Sequence, residues 1–382
     1  YLFEKKEKFD QKFPAEFIAE GIDQTRGWFY SLLAESTALF GKESYKNVVI
    51  NGTIVADDGS KLSKSKKNYV DPEILIKEFG ADAVRINFFS SPIASGEDAA
   101  VSPKTLKIQN QEWILPIWNI FAYLTTYANI HNWAPRAELA YNTRKNFEDS
   151  HPWDHIPFDD VESELNAWIL FRLQETIHNV TTSLDAYEIQ KSLKFIKDLL
   201  DDTSKWFIRS SRDRFAEGNQ DSIDTLYYVF IETLKLLAPY APFITDYIYR
   251  ELVVSKLEDV KDSIHLTDYP EVDLAFVEQY SRLSDEMTIV RKICELGHTI
   301  RVNSALKVRQ PLSELQVQST NEVVPVVTEW MREMIKNELN VKDVLDKAAI
   351  HETESLKTNE DTTVKVLIGL ETKLTDELKD EG

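Results

Sequence analysis

The sequence predicts an α/β segment, then an all-α region, then a small α+β tail. Three observations predict this. Residues 16–80 alternate strand-like and helix-like patterns. Residues 102–256 place apolar side chains at helical spacing over long segments. Past Arg309, Gln310 and Pro311, short alternating runs return.

The first strand is 16–20, "EFIAE", followed by Gly21 and Asp23. A helical pattern runs from Gln24 to Phe40 and stops at Gly41, with Asp23 placed to cap it. The β-branched run 47–55, "NVVINGTIV", reads as a buried strand, and Asp57-Asp58-Gly59 as a turn. Asp71 and Pro72 read as an N-cap and a first helical residue, and Gly80 closes that helix. Strand, helix, strand, loop, helix fits a parallel sheet. Helical segments follow at 104–131, where Pro116 marks a kink, and at 162–185, 187–214, 220–237 and 242–256. A loop rich in Pro, Asn and Asp occupies 133–160, and another long helix is expected at 275–303. Strand-like runs at 313–318 and 363–369 flank a helix at 325–338. The expected division is 1–101 (α/β), 102–160 (connecting helices), 161–312 (helical domain) and 313–382 (α+β tail).

A chain of 382 residues exceeds one ordinary core, and 43% apolar with 11% aromatic residues argues for packed domains. The formal net charge of −20 disfavours indiscriminate binding to nucleic acid, so an RNA partner must meet local basic patches. The single cysteine, Cys294, excludes an internal disulfide framework and a multi-cysteine zinc site, and fits a reducing, cytoplasmic setting. There is no signal-peptide pattern and no apolar run long enough to span a bilayer, so no membrane role is expected. The N-x-S/T matches at Asn51 and Asn179 are then chance. The histidines are scattered, and no bound metal is predicted. The chain opens without Met and reads like the inside of a longer protein.

Against this acidic background stands "DDGSKLSKSKKNY" at 57–69, with Lys61, Lys64, Lys66 and Lys67 close together. Ammonium groups on a Gly- and Ser-containing loop suit a polyphosphate, and a loop closing over a departing pyrophosphate stabilises its growing charge. The alternative is a solvated basic turn.

The order of residues is specific. Lys61-Leu62-Ser63-Lys64-Ser65 resembles the KMSKS signature of class I aminoacyl-tRNA synthetases, with Leu in place of Met. Upstream, "EGIDQTRGWF" at 20–29 resembles the EG-x-DQ-x-RGWF segment of the isoleucyl group. "KKNYVDPEILIKEFGADAVRINFFSSP" at 66–92, "WFIRSSRDRF" at 206–215, "LAPYAPFITDYIY" at 237–249 and "LKVRQPL" at 306–312 continue the family pattern. Asn51-Gly52 and Lys66-Lys67-Asn68 look like the eukaryotic-type branch. The fold implied is the C-terminal half of a Rossmann-type catalytic domain, then a helical-bundle anticodon-binding domain and the α+β tail.

The resemblance implies roles residue by residue. Lys61 and Lys64 would contact ATP phosphates and the departing pyrophosphate, Ser63 and Ser65 would fix the loop, and Leu62 would lie near the adenine. Glu20 and Gly21, at a strand end, would border the nucleotide, and Asp23 would accept from the ribose hydroxyls; its other reading is the helix N-cap. Gly52 and Ile54 would offer backbone to the adenine. Gln24 and Trp28, on one helix face, would bind the amino acid; the other reading of Trp28 is ordinary core packing, the commoner fate of a helix tryptophan. Lys66 and Lys67 face tRNA or water. Trp206, Arg209, Arg212 and Arg214 form a tRNA-facing strip or an exposed helix face.

No H-x-G-H tetrapeptide occurs. In this family it precedes an editing insertion, and both would lie ahead of residue 1, so the chain reads as a C-terminal portion, inactive alone. The implied reaction is ATP-dependent activation of isoleucine, with Mg²⁺ accompanying ATP, then transfer to tRNA(Ile), by a monomer without structural zinc. The alternatives are another class I synthetase (valyl) and a non-catalytic RNA-binding or scaffold protein derived from one.

Overall fold

A computed structural model describes residues 5–56, 58–60, 62, 71–136, 139, 161, 163–319, 327–347, 349–350, 352, 356–361, 366–373 and 378. In chain order the first elements are α1 (Lys6–Lys12), β1 (Ala15–Gly21), α2 (Trp28–Phe40), β2 (Tyr45–Asn51), β3 (Ile54–Val55), α3 (Pro72–Phe79), α4 (Ala81–Ser90), β4 (Ala99–Ala100), α5 (Pro103–Gln109) and α6 (Leu115–Ile130). Next come α7 (Glu164–Asp185), α8 (Ile189–Asp201), α9 (Ile208–Ser210), α10 (Arg212–Ala216), α11 (Gln220–Leu237), α12 (Pro242–Tyr249), α13 (Leu274–Tyr280) and α14 (Arg282–Asn303). The last are β5 (Leu312–Ser319), α15 (Glu329–Leu339), β6 (Val341–Asp346), β7 (Leu356–Asp361) and β8 (Val366–Glu371). The predicted combination of α/β, all-α and a small α+β region is what the chain adopts.

Two compact units divide the chain, and each is discontinuous. The first holds residues 1–149, 176–201 and 227–271; the second holds 150–175, 202–226 and 272–382.

In the first unit β1 and β2 pair in parallel, from Ala15 opposite Tyr45 to Gly21 opposite Asn51, with α2 as the crossover. The run 47–55 is not one buried strand, as its β-branched composition suggests. It breaks at Gly52, and Ile54 and Val55 pair instead with Ala99 and Ala100 of β4. Gly52 donates its N–H to Ile93 O at 2.8 Å, and a Cβ there would sit 1.7 Å from Glu97 O. Only glycine permits that approach. Val48 on β2 and Phe17 on β1 are exposed.

Asp71 accepts from Glu73 N–H at 2.9 Å with Pro72 in the first turn, so α3 starts where the sequence places it. Pro116 lies in the first turn of α6, directly after a π-helical stretch, Asn110–Ile114. The missing proline N–H is absorbed by a widened turn while the chain stays helical. Ile86, Leu106, Ile117, Ile120 and Leu124 form the fully buried centre of this part. Asp82 and Arg85 of α4 clamp the approach to α12. Asp82 accepts from the N–H groups of Phe243 (3.2 Å) and Ile244 (2.7 Å), satisfying free donors of that helix start. Arg85 donates to the carbonyls of Tyr240 (3.2 Å) and Pro239 (2.7 Å). Burial raises the pKa of Asp82, and the two N–H donors oppose that.

In the second unit the expected helix at 275–303 is two, α13 and α14, separated at Ser281. Its sheet has the order β6-β5-β8-β7. β5 and β6 are parallel across α15, and β8 runs antiparallel to β5 and β7. The strands β6 and β7 are additions to the sequence reading. A π-helical stretch, Asp202–Phe207, follows α8. Asp202 there is buried and accepts from the half-buried Arg172 (2.7 Å) and Arg291 (2.5 Å), an ionic tie within this unit.

Candidate functional site

The parallel pair brings the strand ends Glu20-Gly21 and Ile50-Asn51 side by side, the edge where open α/β sheets bind ligands. After Gly21 the chain enters a 3₁₀ turn, Ile22–Arg26, rather than starting α2 at Gln24. Asp23 is therefore not the N-cap of α2. Gln24 does that work: its Oε1 accepts Trp28 N–H at 3.0 Å, and its Nε2 donates to Asp23 Oδ2 at 2.9 Å. Glycine at 21 gives the Asp23 carboxylate room to fold back, since a Cβ there would lie 2.6 Å from Asp23 Oδ1. Glu20 and Asp23 are exposed, leaving carboxylate oxygens open to a hydroxylated ligand. Trp28 is 47% exposed, so it is not a core residue; the neighbouring Phe29 is buried.

Gly52 and Ile54 line an apolar cavity of about 340 Å³ with Asn51, Phe88, Ile93 and Ile189. Ile93 O takes the Gly52 N–H. The chain turns at 56–60: Ser60 N–H donates to Asp58 Oδ1 at 2.9 Å, and Ala56 N–H to Ser60 O at 2.9 Å. The lysine-rich stretch follows that turn in the sequence. Leu62 is half-buried; Lys61, Ser63, Lys64, Ser65, Lys66 and Lys67 lie outside the described residues.

The strip at 206–214 belongs to the second unit and is not a uniform cationic face. Arg214 donates to Ser163 Oγ (3.0 Å), Asn166 Oδ1 (2.9 Å) and Asn219 Oδ1 (3.3 Å). Burial lowers its pKa, and Asp221 opposes the shift. Arg209 pairs with Glu338 at 3.1 Å, and the same carboxylate oxygen meets His298 Nε2 at 3.1 Å. Trp206 is half-buried with the Arg291 guanidinium 5.5 Å from its ring centroid. Arg212 is exposed. Among the described residues no group of three or more His, Cys, Asp and Glu stands ready to hold a metal ion. No helix among them is long and apolar enough to cross a membrane.

Residues 1–100 match the tRNA synthetases class I (I, L, M and V) family, and residues 166–318 match the anticodon-binding domain of tRNA ligase. The chain belongs to the class I aminoacyl-tRNA synthetases. It is 37% identical over 352 residues to the isoleucine–tRNA ligase of Protochlamydia amoebophila, covering 90% of this chain. It is 35% identical over 359 residues to that of Treponema denticola, covering 93%. The chain spans 31% of the length of each of these relatives. A solved ternary complex of Agrobacterium radiobacter K84 agnB2 LeuRS with tRNA and LeuAMS shares the fold, with a TM-score of 0.50 at 19% identity. That likeness covers 69% of this chain and 29% of the other. The names of these relatives do not distinguish the eukaryotic-type branch.

Within this synthetase family framework, sequence reasoning passed over Asp82 and Arg85. Their signal was present in "GADAVR" at 80–85, whose acid and base are spaced to share one helix face. It also passed over Arg301 in the second unit, which is 1% exposed and donates to four backbone carbonyls. Burial lowers its pKa to about 10, which keeps it cationic at neutral pH.

Proposed function

We propose that this chain carries nucleotide-binding and tRNA-binding parts of an isoleucine–tRNA ligase, which activates isoleucine with ATP and transfers it to tRNA(Ile). The observation that carries this reading is the β1–β2 register, which sets Glu20 and Gly21 beside Asn51, next to Gly52 and one turn from Asp23. This is the strand edge that the class places under a nucleotide. The names of the relatives favour isoleucine over valine as the substrate.

The roles follow from the chemistry of each group. Asp23 accepts from the ribose hydroxyls with the carboxylate oxygen that Gln24 leaves open. Trp28, held at its N–H by Gln24 and exposed on its ring, walls an apolar amino-acid side chain. Gln24 orients both neighbours and keeps one amide hydrogen for the amino acid. Ile54 borders the adenine through the apolar cavity. Lys61 and Lys64, steadied by Ser63 and Ser65, neutralise the triphosphate and stabilise the departing pyrophosphate, where charge grows in the transition state. Leu62 packs beside the base. Mg²⁺ would accompany ATP and help to neutralise its phosphates. Lys66, Lys67 and Arg212 meet tRNA phosphates. A monomer working in the cytoplasm completes the reading.

The test is isoleucine-dependent ATP–pyrophosphate exchange by a polypeptide that joins this chain to an H-x-G-H segment. Lys64→Ala is expected to slow exchange by about 100-fold or more, with circular dichroism unchanged. Near-normal exchange would refute the phosphate role.

A further inference from the structure

Residues 301–311 hold three cations, Arg301, Lys307 and Arg309, and no Asp or Glu, in a chain of net charge −20. This stretch leaves the end of α14 and turns back toward β5. Its backbone is held at many points. Ser304 N–H donates to Ile300 O, and Leu306 N–H to Arg301 O, both at 2.9 Å. Gln310 N–H donates to Lys307 O at 3.0 Å, and Ala305 adopts φ +56°.

The buried Arg301 guanidinium reaches into the turn and donates to the carbonyls of Lys307 and Gln310, each at 3.0 Å. Its other nitrogen donates to Leu339 O and, at 3.1 Å, to Asn340 O, where α15 ends. Asn340 Nδ2 donates back to Val308 O at 3.0 Å. The carbonyls of Lys307, Val308 and Gln310 are thus drawn inward. The side chains of Lys307 and Arg309 are exposed, and neither forms an ion pair among the described residues. The terminal nitrogens of Arg301 donate to carbonyls rather than to a carboxylate, and its Nε is buried without a hydrogen bond, so its charge is not neutralised and adds to theirs. Val302 and Val308 are exposed beside them.

We propose that this braced turn is a docking surface for the phosphate backbone of tRNA, with Lys307 and Arg309 as its phosphate contacts. The inference rests on the reading that the chain binds tRNA, and adds a site outside the strip at 206–214. A turn already ordered loses little backbone entropy on binding. Two unpaired cations releasing counterions from two phosphates set a definite salt dependence.

The experiment measures binding of the 382-residue chain to a tRNA(Ile) transcript by fluorescence anisotropy at several salt concentrations. The double variant Lys307→Ala/Arg309→Ala should bind about tenfold more weakly at low salt. Its log K against log salt slope should be shallower by about 1.5, close to 0.7–0.9 per lost phosphate contact. The charge-keeping variant Lys307→Arg/Arg309→Lys should retain both values. Because the side chains are exposed, the melting curves of all three should coincide. Wild-type binding with an unchanged double variant overturns this inference and leaves the tRNA reading standing, as expected of a turn that meets an acidic protein instead. Equal loss in both double variants also overturns it. No binding by the wild type overturns the tRNA reading itself.

Discussion

Two stretches of the second unit carry three cations each and use them in opposite ways. At 206–214 the arginines are spread into the fold. Arg214 is bonded to Ser163, Asn166 and Asn219, and Arg209 is paired with Glu338. Arg212 stands exposed. At 301–311 one arginine is buried to brace the backbone, and two cations are left outside. The first stretch looks richer in the sequence, with an aromatic beside three arginines. The second presents more unpaired charge. The number of cations in a motif does not measure the charge offered to a partner, because hydrogen-bond donors buried in a fold must find acceptors and are drawn inward.

The largest expected effect breaks the bracing. Arg301→Met keeps the apolar stem but removes four hydrogen bonds to backbone carbonyls, the one to Leu339 O being fully buried. Stability of the second unit should fall by on the order of 3 kcal/mol or more in urea unfolding. A loss below about 1 kcal/mol would mean that the turn holds its shape unaided. Arg214→Leu comes next. With Asn166 buried and Ser163 and Asn219 half-buried, it should cost about 1–2 kcal/mol while leaving the salt slope of tRNA binding unchanged. A changed slope with normal stability would place Arg214 on the RNA instead. Arg212→Ala should leave stability within about 0.5 kcal/mol and make the slope shallower by about 0.7–0.9. The smallest effect is expected of Glu338→Gln, which releases Arg209. TRNA affinity should rise by about threefold or less, an effect that vanishes at high salt. A fall in affinity would show that Glu338 positions Arg209 for the RNA.

The first unit shows the same lesson on a smaller scale. Asp23 and Gln24 are adjacent, polar and near a helix start, and composition favours Asp as the cap. The 3₁₀ turn moves the start of α2 to Trp28, so Gln24 lies four residues back and reaches its N–H. Asp23 is left exposed, with only its Oδ2 accepting from Gln24. Glycine at 52 carried a similar surprise. The sequence reads 47–55 as one strand through it, and does not show that the chain breaks there with Glu97 O in the space of its missing Cβ.

Local pattern alone determined the class of each region, the starts and stops around Asp71, Pro72 and Gly80, and the family segments at 20–29 and 61–65. These depend on short-range sterics, capping and apolar period, which a linear string carries in full. Only the tertiary structure decided which polar groups are spent inside the fold. Asp82 meets Ile244 across more than 160 residues, and Arg301 meets Asn340 across 39. A charge finds its partner through the path of the whole chain, so its freedom to act on a ligand is a property of the fold rather than of the motif.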